Sequence, residues 1–425
     1  MKTKIFIIFY LLFFILFSCQ SKPDVLDDNS VQIADNDEEI DLVSVIPQKD
    51  QEKNLSSVTP QKEKKKVLPS ITPKKEEEKE EEPVIYSITF IAVGDNLFHE
   101  SIITSHVTKG VYDFSPIYAE VKDIIKNADL AFINQETVMA GESYGYSGFP
   151  TFNSPQSLAK THVDTGFDIV NLANNHAMDK GAAGLRSTLD YLNTIKEFTI
   201  IGARKEGPSE RIITKNNITL GFLSYTFSLN GFTLPKDSPN LVSMIERKKM
   251  EEEITALRPL CDFLVVSMHW GDEYLLQPNK YQTDLAAFLA KLNVDLIIGH
   301  HPHVLQRVDK LPRPDGKETL CYYSLGNFVS HQRERERIIG GMMSLTFVKK
   351  STGELSIENY GMIPVITHYD RSFKNTKIYP LYAYTEELLN AHGLKNFEGG
   401  LSFKFFEGVT GRLNAPIIKS NPFKE

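Results

Sequence analysis

The chain has 425 residues, 41% of them hydrophobic, and a formal net charge of −8 at pH 7. Residues 84–425, which are numerous enough to bury a large core, carry only −3 of that charge, and this lack of basic excess argues against nucleic acid as a partner. Three cysteines in a chain of this length exclude a disulfide scaffold.

Residues 1–19 predict a lipoprotein signal peptide. Lys2 and Lys4 precede the apolar run Ile5–Phe17, which is shorter than the ~20 residues that a membrane-spanning helix needs. The run ends in Leu-Phe-Ser-Cys, which resembles a bacterial lipobox whose cysteine is lipidated after cleavage. We therefore expect lipidated Cys19 to anchor the protein in the cell envelope, outside the cytoplasm. The alternatives are a secreted protein cleaved nearby and an uncleaved anchor.

A charged linker is predicted over residues 20–83. It contains no aromatic residue and no glycine, and residues 60–83 carry seven Lys and seven Glu. Such a segment has too little apolar surface to offset the entropy cost of ordering, so the sequence predicts a disordered tether. Its basic blocks could contact anionic polymer or lipid headgroups, but the neighbouring acidic residues cancel most of their field, which favours a spacer.

From Val84 to Val329, apolar runs typical of buried strands alternate with segments of helical pattern. The predicted strands are 85–93, 130–134, 169–172, 218–224, 263–268, 296–298 and 319–325. The predicted helices are 116–127, 155–165, 181–196, 245–257 and 281–292. This alternation predicts an α/β fold with a largely parallel sheet and helices on its faces.

The pattern changes after Asn327. A mixed-charge surface stretch, Arg333–Arg337, precedes two paired strands predicted at 342–348 and 354–360 and a helix predicted at 385–394. We therefore expect one main domain over residues 84–330, completed by a β-rich extension over residues 331–425.

Polar side chains follow five of the apolar runs, at the point where each predicted strand ends. They are Asp95, Glu136, Asn174, Asn175, His176, His269, His300, His301 and His303. In open α/β sheets, ligands bind beyond the carboxyl ends of the strands, and imidazole is the commonest protein ligand for transition metals. The sequence therefore predicts one metal site assembled from distant segments.

Individual residues allow second interpretations. Asp95 could cap a following helix, and Glu136 could be an ordinary loop carboxylate. Asp179 could orient His176 from behind or cap the helix that begins near Gly181. These alternatives are open at the level of the sequence.

The segment His269–Tyr274 contains the only tryptophan of the chain. Glu273 is a candidate general acid/base, and Trp270 is either a wall of the cleft or a core residue. His301 and His303 are two residues apart, so in an extended segment both side chains face the same region.

Six short motifs occur in order between Ile88 and Val329. They are AVGD at 92–95, NQE at 134–136, NNHAMDKG at 174–181, HWGDEY at 269–274, GHHPHVLQ at 299–306 and YSLGNFV at 323–329. Together they resemble the CapA-type poly-γ-glutamate capsule biosynthesis family. The resemblance implies an α/β layered sandwich of the calcineurin-like metallophosphoesterase type with a metal site at the strand ends. The ligands it implies are Asp95, Glu136, Asn175, His176, His269, His301 and His303.

Two motifs depart from those of the phosphoesterases. Their first motif is Asp-x-His, but Leu97 stands two residues after Asp95, and their Gly-Asp motif corresponds here to residues 134–136, Asn-Gln-Glu. The departures leave open whether the site holds two metals, one or none. A histidine-rich site with carboxylates suits zinc, manganese or iron.

The predicted lipobox and the six motifs at strand ends together lead to the first hypothesis, a membrane-anchored envelope lipoprotein that performs metal-dependent hydrolysis or transfer on an anionic extracellular polymer or cell-wall peptide. Glu273 and Asp179 are the candidate catalytic residues. One alternative is a non-catalytic polymer-binding partner of synthase or export proteins. Another, a phosphoesterase, follows from fold analogy alone.

Overall fold

The computed structural model describes residues 82–395 and 399–424. The predicted signal peptide with Cys19 and the predicted linker up to residue 81 lie outside the described residues. Within the described ranges, no helix is both long enough and apolar enough to cross a lipid bilayer.

Sixteen strands and nine helices are assigned among the described residues. The strands are β1 (Ile85–Asn96), β2 (Val107–Thr108), β3 (Val111–Tyr112), β4 (Leu130–Gln135), β5 (Ile169–Asn171), β6 (Thr199–Ile201), β7 (Arg211–Lys215), β8 (Ile218–Thr226), β9 (Phe263–His269), β10 (Leu296–His300), β11 (Val308–Pro312), β12 (Glu318–Tyr322), β13 (Asn327–Val329), β14 (Ile339–Lys350), β15 (Leu355–His368) and β16 (Lys377–Pro380). The helices are α1 (Glu100–Ser105), α2 (Ser115–Tyr118), α3 (Lys122–Lys126), α4 (Ser157–Thr165), α5 (Gly181–Leu192), α6 (Arg247–Leu257), α7 (Lys280–Lys291), α8 (Glu386–Ala391) and α9 (Phe403–Thr410).

The first sheet has the strand order β16-β15-β14-β1-β4-β5-β6, and β13 pairs with the end of β1. Strands β1, β4, β5 and β6 are parallel, whereas β14, β15 and β16 join antiparallel on the other side of β1. The register sets Asp95 opposite Asn134, and Asn134 opposite Asn171. Polar side chains therefore line up across the carboxyl ends of β1, β4 and β5.

The second sheet has the strand order β11-β12-β10-β9-β8-β7. Its four central strands are parallel, and its two edge strands are antiparallel to their neighbours. His269 at the end of β9 is directly opposite His300 at the end of β10. This register brings two of the histidine-bearing motifs side by side.

The two sheets stack face to face around a shared apolar core. Ile88, Phe90 and Ala92, which alternate along β1, pack in one cluster with Phe222 of β8 and Val265 of β9. The rings of Phe90 and Phe222 are 6.2 Å apart between centroids. Because side chains alternate across a strand, the intervening residues of β1 face the opposite side of the sheet.

Helices cover both outer faces. Ile91 and Val93 of β1 belong to a cluster with Ile102 of α1, Leu158 of α4 and Leu185 of α5. On the second sheet, Leu264 and Val266 of β9 pack in a cluster that also contains apolar residues of α6 and α7. The molecule is thus layered as helix, sheet, sheet, helix.

The predicted α/β layered sandwich is confirmed, but the hydrophobic pattern by itself predicted one largely parallel sheet where two mixed sheets are present. Apolar runs buried on both faces look alike in either arrangement, so the pattern could not divide the strands between sheets. The helix predicted at 116–127 is two short helices, α2 and α3. Residues 339–380 supply β14, β15 and β16 to the first sheet, directly beside β1.

Candidate metal centre

The residues that follow β1, β4, β9 and β10 meet at one edge of the stacked sheets. In three overlapping groups, a ligand atom from each member lies within 4.8 Å of the ligand atoms of the others. These groups are Glu136–His269–His301, Asp95–Glu136–His303 and Glu273–His301–His303. Six side chains from distant parts of the sequence therefore form one continuous set of nitrogen and oxygen donors.

Glu136 lies at the centre of this set. Its Oε1 is 3.5 Å from His269 Nε2 and 3.6 Å from His303 Nε2. The side chain is fully buried, yet neither carboxylate oxygen has a hydrogen-bond partner. Burial raises the pKa of Glu136 well above its ordinary value, and the negative charges of Asp95 and Glu273 raise it further. A buried carboxylate in this state lacks a compensating cation.

Asp95 is also fully buried, but its oxygens are well supplied with donors. Asn134 Nδ2 donates to Oδ1 at 2.8 Å, His300 Nδ1 lies 3.2 Å from Oδ1, and His303 Nδ1 lies 3.0 Å from Oδ2. Burial raises the pKa of Asp95, but the hydrogen bonds of His300 and His303 outweigh burial and hold it well below its ordinary value. Asp95 is therefore a charged carboxylate.

Asp95 does not cap a helix. The helix that follows it, α1, begins at Glu100 with His99 as its N-cap residue. The capping interpretation of Asp95 is therefore wrong, and its carboxylate faces the donor set instead.

Two histidines of the set, His269 and His301, are held in the neutral state, which is the form that binds metals. Burial lowers the pKa of His269 well below its ordinary value and that of His301 to about 3. His303 Nδ1 lies 3.0 Å from both Asn327 Oδ1 and Asp95 Oδ2, so Nε2 is the ring nitrogen that faces Glu136. The two oxygens thus fix the orientation of this ring.

The loop that carries the two last histidines is strained. His301 has φ +97° and His303 has φ +58°, backbone conformations that residues with a Cβ rarely adopt. Such strain is found where a structure must aim particular side chains at a site. An extended backbone over residues 301–303 was expected from the sequence. That expectation is wrong, because His301 and His303 both have positive φ angles.

Asn175 and His176 occupy different positions relative to the donor set. Asn175 Oδ1 accepts a hydrogen bond from His269 Nε2 at 2.9 Å, which places this amide oxygen beside the centre. His176 is absent from the three donor groups found among the described residues. Its Nδ1 instead donates to Asp179 Oδ2 at 2.8 Å, and its ring lies edge-on to Phe152 with centroids 4.7 Å apart.

Asp179 orients His176 and does not cap a helix. Its Oδ2 accepts both His176 Nδ1 and the backbone N–H of Phe152, the latter at 2.7 Å. Helix α5 begins at Gly181, and its N-cap residue is Lys180 without a side-chain capping hydrogen bond. The capping interpretation of Asp179 is therefore wrong.

Glu273 and Trp270, both in the segment directly after β9, differ in their exposure to solvent. Glu273 is exposed although its carboxylate belongs to one of the donor groups, so it marks the side of the centre that faces solvent. Trp270 is fully buried, and its Nε1 donates to the backbone oxygen of Tyr323 at 3.0 Å. Trp270 is a core residue and not a wall of the cleft.

The sequence interpretation missed Asn327. Its Oδ1 accepts from His303 Nδ1, and its Nδ2 donates to the backbone oxygen of His303 at 3.3 Å, to Gln332 Oε1 at 2.9 Å and to the backbone oxygen of Arg337 at 2.9 Å. The available signal was its place in the last of the six motifs, YSLGNFV. Asn327 ties a candidate ligand to the segment that follows it.

A chain of amides supports Asp95 from behind, and the sequence interpretation missed it as well. Ser224 Oγ donates to Asn171 Oδ1 at 2.6 Å, and Asn171 Nδ2 donates to Asn134 Oδ1 at 2.9 Å. Asn134 then donates to Asp95. Because each amide can donate and accept at once, the chain fixes the orientation of the Asp95 carboxylate from both sheets.

The residues present fit a divalent metal. Among the described residues, the ion-pair partners of Asp95, Glu136 and Asp179 are all histidines, and no lysine or arginine pairs with these carboxylates or with Glu273. Carboxylate oxygens that converge with neutral imidazoles, with a buried carboxylate left unpartnered, form a donor set suited to a transition metal. Zinc, manganese and iron all accept this combination of imidazole and carboxylate donors.

The sequence model of a family described as "Bacterial capsule synthesis protein PGA_cap" matches residues 89–332. The chain is 30% identical over 262 residues to "Capsule biosynthesis protein CapA" of Bacillus anthracis, covering 58% of this chain and 60% of that protein. It is 31% identical over 206 residues to "PGA biosynthesis protein CapA" of Bacillus subtilis (strain 168), covering 47% and 52%. The chain thus spans between about half and three-fifths of the length of these relatives.

Two solved structures align with the chain at low identity. One is a putative 5'-nucleotidase from Staphylococcus aureus, with a TM-score of 0.44, 18% identity, and coverage of 66% of this chain and 54% of that chain. The other is the NAD nucleotidase NadN of Haemophilus influenzae, with a TM-score of 0.41, 14% identity, and coverage of 72% and 62%. No residue role is transferred from them to this chain.

Proposed function

Because the chain belongs to the bacterial capsule synthesis protein PGA_cap family, as the resemblance of its six motifs implied, we propose that it acts in the cell envelope on an anionic capsule polymer or cell-wall peptide. The proposed reaction is metal-dependent hydrolysis or transfer at the polymer backbone. The printed names of the two relatives, which refer to capsule and PGA biosynthesis, support the choice of polymer.

The observation that carries the proposal is the state of Glu136. Its two buried oxygens have no hydrogen-bond donor, although His269 and His303 direct nitrogens towards them at 3.5 and 3.6 Å. A fold that retains such a carboxylate beside a second one, Asp95, incurs a large desolvation cost unless a cation offsets it. A function that uses a metal accounts for this arrangement.

The side chains that would hold the metal are Asp95, Glu136, Asn175, His269, His301 and His303, and His176 with Asp179 stands beside them. When bound there, a divalent metal would polarise a carbonyl or phosphoryl oxygen and would lower the pKa of bound water towards neutrality. His300 and Asn134 hold the carboxylate of Asp95 in its charged form and fix its orientation.

Glu273 is the proposed general acid/base. It is exposed, whereas the other carboxylates of the centre are buried, so it can exchange protons with solvent between turnovers. Asp179 would contribute by holding His176 through the bond to Nδ1, which leaves Nε2 of that ring available for a proton or for the polymer.

The metal is tested by elemental analysis of the full chain purified without chelator. We expect near-stoichiometric metal in the wild type and its loss in the His269→Ala/His301→Ala double variant. His106→Ala is the matched control, because His106 is half-buried and outside the donor groups found among the described residues. Equal metal content in the wild type and the double variant would contradict the proposed centre.

The reaction is tested by following shortening of a γ-linked glutamate polymer. We expect Glu273→Gln to lower the rate by roughly 10²–10⁴-fold while metal content stays at the wild-type level, since general acid/base catalysis contributes about that much. A wild-type chain that holds metal and leaves both this polymer and cell-wall peptides intact would sink the catalytic proposal.

The proposed location in the envelope includes anchoring through lipidated Cys19, a residue outside the described ranges. Fractionation of cells that express the full chain tests it. We expect the protein in the membrane fraction and release of a Cys19→Ala variant from it. A variant that stays membrane-bound would rule out the lipid anchor.

A second candidate function is a non-catalytic, polymer-binding partner of synthase or export proteins. The observation that favours it is Leu97, which is 2% exposed and occupies the position where the phosphoesterase motif has a histidine. This function predicts that Asp95→Ala and His301→Ala abolish metal binding but leave polymer binding and partner capture intact. Loss of polymer binding in both variants would exclude it.

A further inference from the structure

The donor set opens to solvent on one side. Asp95, Glu136 and His269 are fully buried, whereas Glu273 is exposed. The ring of Phe227, which is 37% exposed, lies 4.7 Å from the ring of His301 between centroids. A substrate must therefore approach past Glu273 and Phe227, and residues along that rim can recognise it.

Tyr274 is fixed on this rim. Its backbone N–H donates to the oxygen of Pro302 at 2.8 Å, and its φ of +68° turns the chain sharply after Glu273. The ring lies 6.2 Å from the ring of His303 between centroids. Burial and the charge of Glu273 raise the pKa of Tyr274 to about 12, so its hydroxyl keeps its proton and can donate a hydrogen bond.

Arg337 packs on the other face of the rim. Its guanidinium carbon is 3.2 Å from the centroid of the Tyr274 ring. The backbone oxygen of Arg337 accepts a hydrogen bond from Asn327 Nδ2, and the same amide binds His303 through Oδ1. One buried side chain, Asn327, therefore sets the distance between a candidate ligand and this arginine.

The ion-pair partner of Arg337 is replaceable. Glu334 Oε2 lies 2.8 Å from the guanidinium, but the Glu334 side chain is 54% exposed while that of Arg337 is 18% exposed. Solvent screens the exposed Glu334 side of this pair, and Glu334 can turn away into water, so another carboxylate can take its place on the guanidinium. A guanidinium stacked on a ring keeps its fork of N–H donors aligned for such a carboxylate.

We propose that Arg337, held over Tyr274, is the subsite that binds a side-chain carboxylate of an acidic polymer next to the backbone bond presented to the donor set. The inference rests on the proposed function and names the group that the rim recognises. The centre itself is rich in carboxylates and repels an anionic chain, so a fixed cation at its entrance is needed to hold such a substrate in register.

Binding of a fluorescently labelled γ-linked glutamate oligomer to the metal-loaded full chain tests the subsite. We expect Arg337→Gln to weaken binding about 10-fold, and Arg337→Lys to fall between it and the wild type, because lysine keeps the charge but not the fork. The control is Arg333→Gln, the same change in the same segment, where the guanidinium lies over Phe373 at 4.7 Å. Its affinity should stay within about twofold of wild type.

A γ-linked oligomer whose pendant carboxylates (the α-carboxylates) are amidated supplies the second control, because it should bind the wild type and Arg337→Gln equally. Equal affinity of the wild type and Arg337→Gln for the acidic oligomer, an equal loss in Arg333→Gln, or no binding by the wild type would overturn the subsite. Loss of metal in Arg337→Gln would also overturn it, since the residue would then be structural. If the acidic oligomer binds in an Arg337-dependent manner but is not cleaved, the result would support the subsite and contradict the proposed hydrolysis.

Discussion

At the scale of the residue, Glu136 shows how one side chain can destabilise the folded state without a bound cation and stabilise it with one. Its carboxylate is fully buried beside Asp95, and neither oxygen has a donor. In the absence of metal this carboxyl must either stay charged without a partner or take up a proton on folding, and both disfavour the folded state, whereas a bound cation converts the carboxylate into a stabilising ligand.

The effect of Glu136→Gln on the free energy of unfolding is therefore expected to have one sign without metal and the opposite sign with metal. In chelator we expect the variant to be more stable than the wild type by on the order of 1 kcal/mol, because the amide neither buries a charge nor takes up a proton on folding. With saturating metal the wild type should be the more stable, because a ligand is lost in the variant. Urea unfolding in both conditions measures the two differences, and Glu100→Gln, at an exposed position, should change neither. A destabilising effect of the same size in both conditions would show that Glu136 is not a metal ligand.

His392 carries a second effect that belongs to a single residue. It is fully buried, its Nε2 donates to the backbone oxygen of Thr367 at 3.1 Å, and its Nδ1 accepts the N–H of Leu394 at 2.9 Å. The neutral ring thus satisfies both nitrogens, and a second proton would face an N–H donor. Burial lowers the pKa of His392 to about 4.

Because the folded-state pKa of His392 lies below the unfolded value of about 6.5, the unfolded chain binds the proton first as pH falls. Its contribution to stability is present above about pH 6.5 and is lost as pH falls towards 4. Glutamine at this position keeps a donor and an acceptor but does not titrate. When the pH falls from 7 to 5, we therefore expect the free energy of unfolding to decrease by about 2 kcal/mol less in His392→Gln than in the wild type. Parallel curves of unfolding free energy against pH for the two proteins would contradict this assignment.

At the scale of the element, the strand ends that carry ligands depend on close backbone approach. The pairing of β1 with β4 shifts register between Val93 and Asp95, and Gly94 lies in that irregularity. A Cβ on Gly94 would come within 2.0 Å of the backbone oxygen of Gly326, the atom that accepts the N–H of Asp95 at 2.9 Å. Only glycine at this position lets Asp95 face the centre.

Gly94→Ala is expected to destabilise the protein by about 3 kcal/mol and to reduce metal content, because the backbone must move to admit the methyl group. Gly408→Ala is the matched control, for which we expect the opposite effect on stability. Gly408 lies within α9, and a Cβ there meets no atom within 4 Å, so alanine should stabilise the helix by up to about 1 kcal/mol. Thermal unfolding and elemental analysis of both variants decide the matter, and a Gly94→Ala protein with wild-type stability and metal would contradict the close approach.

The elements also show where sequence reasoning worked and where it could not. Asp95, Glu136 and His269 were identifiable because each follows an apolar run, and a strand's carboxyl end is where parallel sheets place ligands. Asn327 was not identified, because its role depends on the pairing of β13 with β1 across more than 200 residues of sequence. Arg337 was interpreted as part of a charged surface stretch, since nothing local to it indicates that Tyr274 lies beneath it.

At the scale of the whole molecule, the centre is built from both sheets. Asp95 at the end of β1 and Glu136 directly after β4 belong to the first sheet, while His269 at the end of β9 and His301 directly after β10 belong to the second. The hydrophobic pattern predicted the strands but not their division between sheets, because residues buried on both faces give the same apolar run. The two sheets meet through an apolar core, so a shared metal adds a polar link at one end of that interface.

A metal that bridges the two sheets should stabilise the whole fold, and removing it should lower the unfolding temperature. Binding to the folded state alone contributes about 2.7 kcal/mol when free metal is a hundred times its Kd, which corresponds to roughly 3–5 °C for a domain of this size. We expect chelator to lower the unfolding temperature of the wild type by that amount and to leave the His269→Ala/His301→Ala variant unchanged. The variant should also unfold close to the chelated wild type, because both lack the link between β9–β10 and β1–β4. Differential scanning calorimetry measures the unfolding temperatures of the wild type and the double variant, each with metal and with chelator. If chelator lowered both unfolding temperatures equally, any metal that stabilises the fold would be bound at a different site.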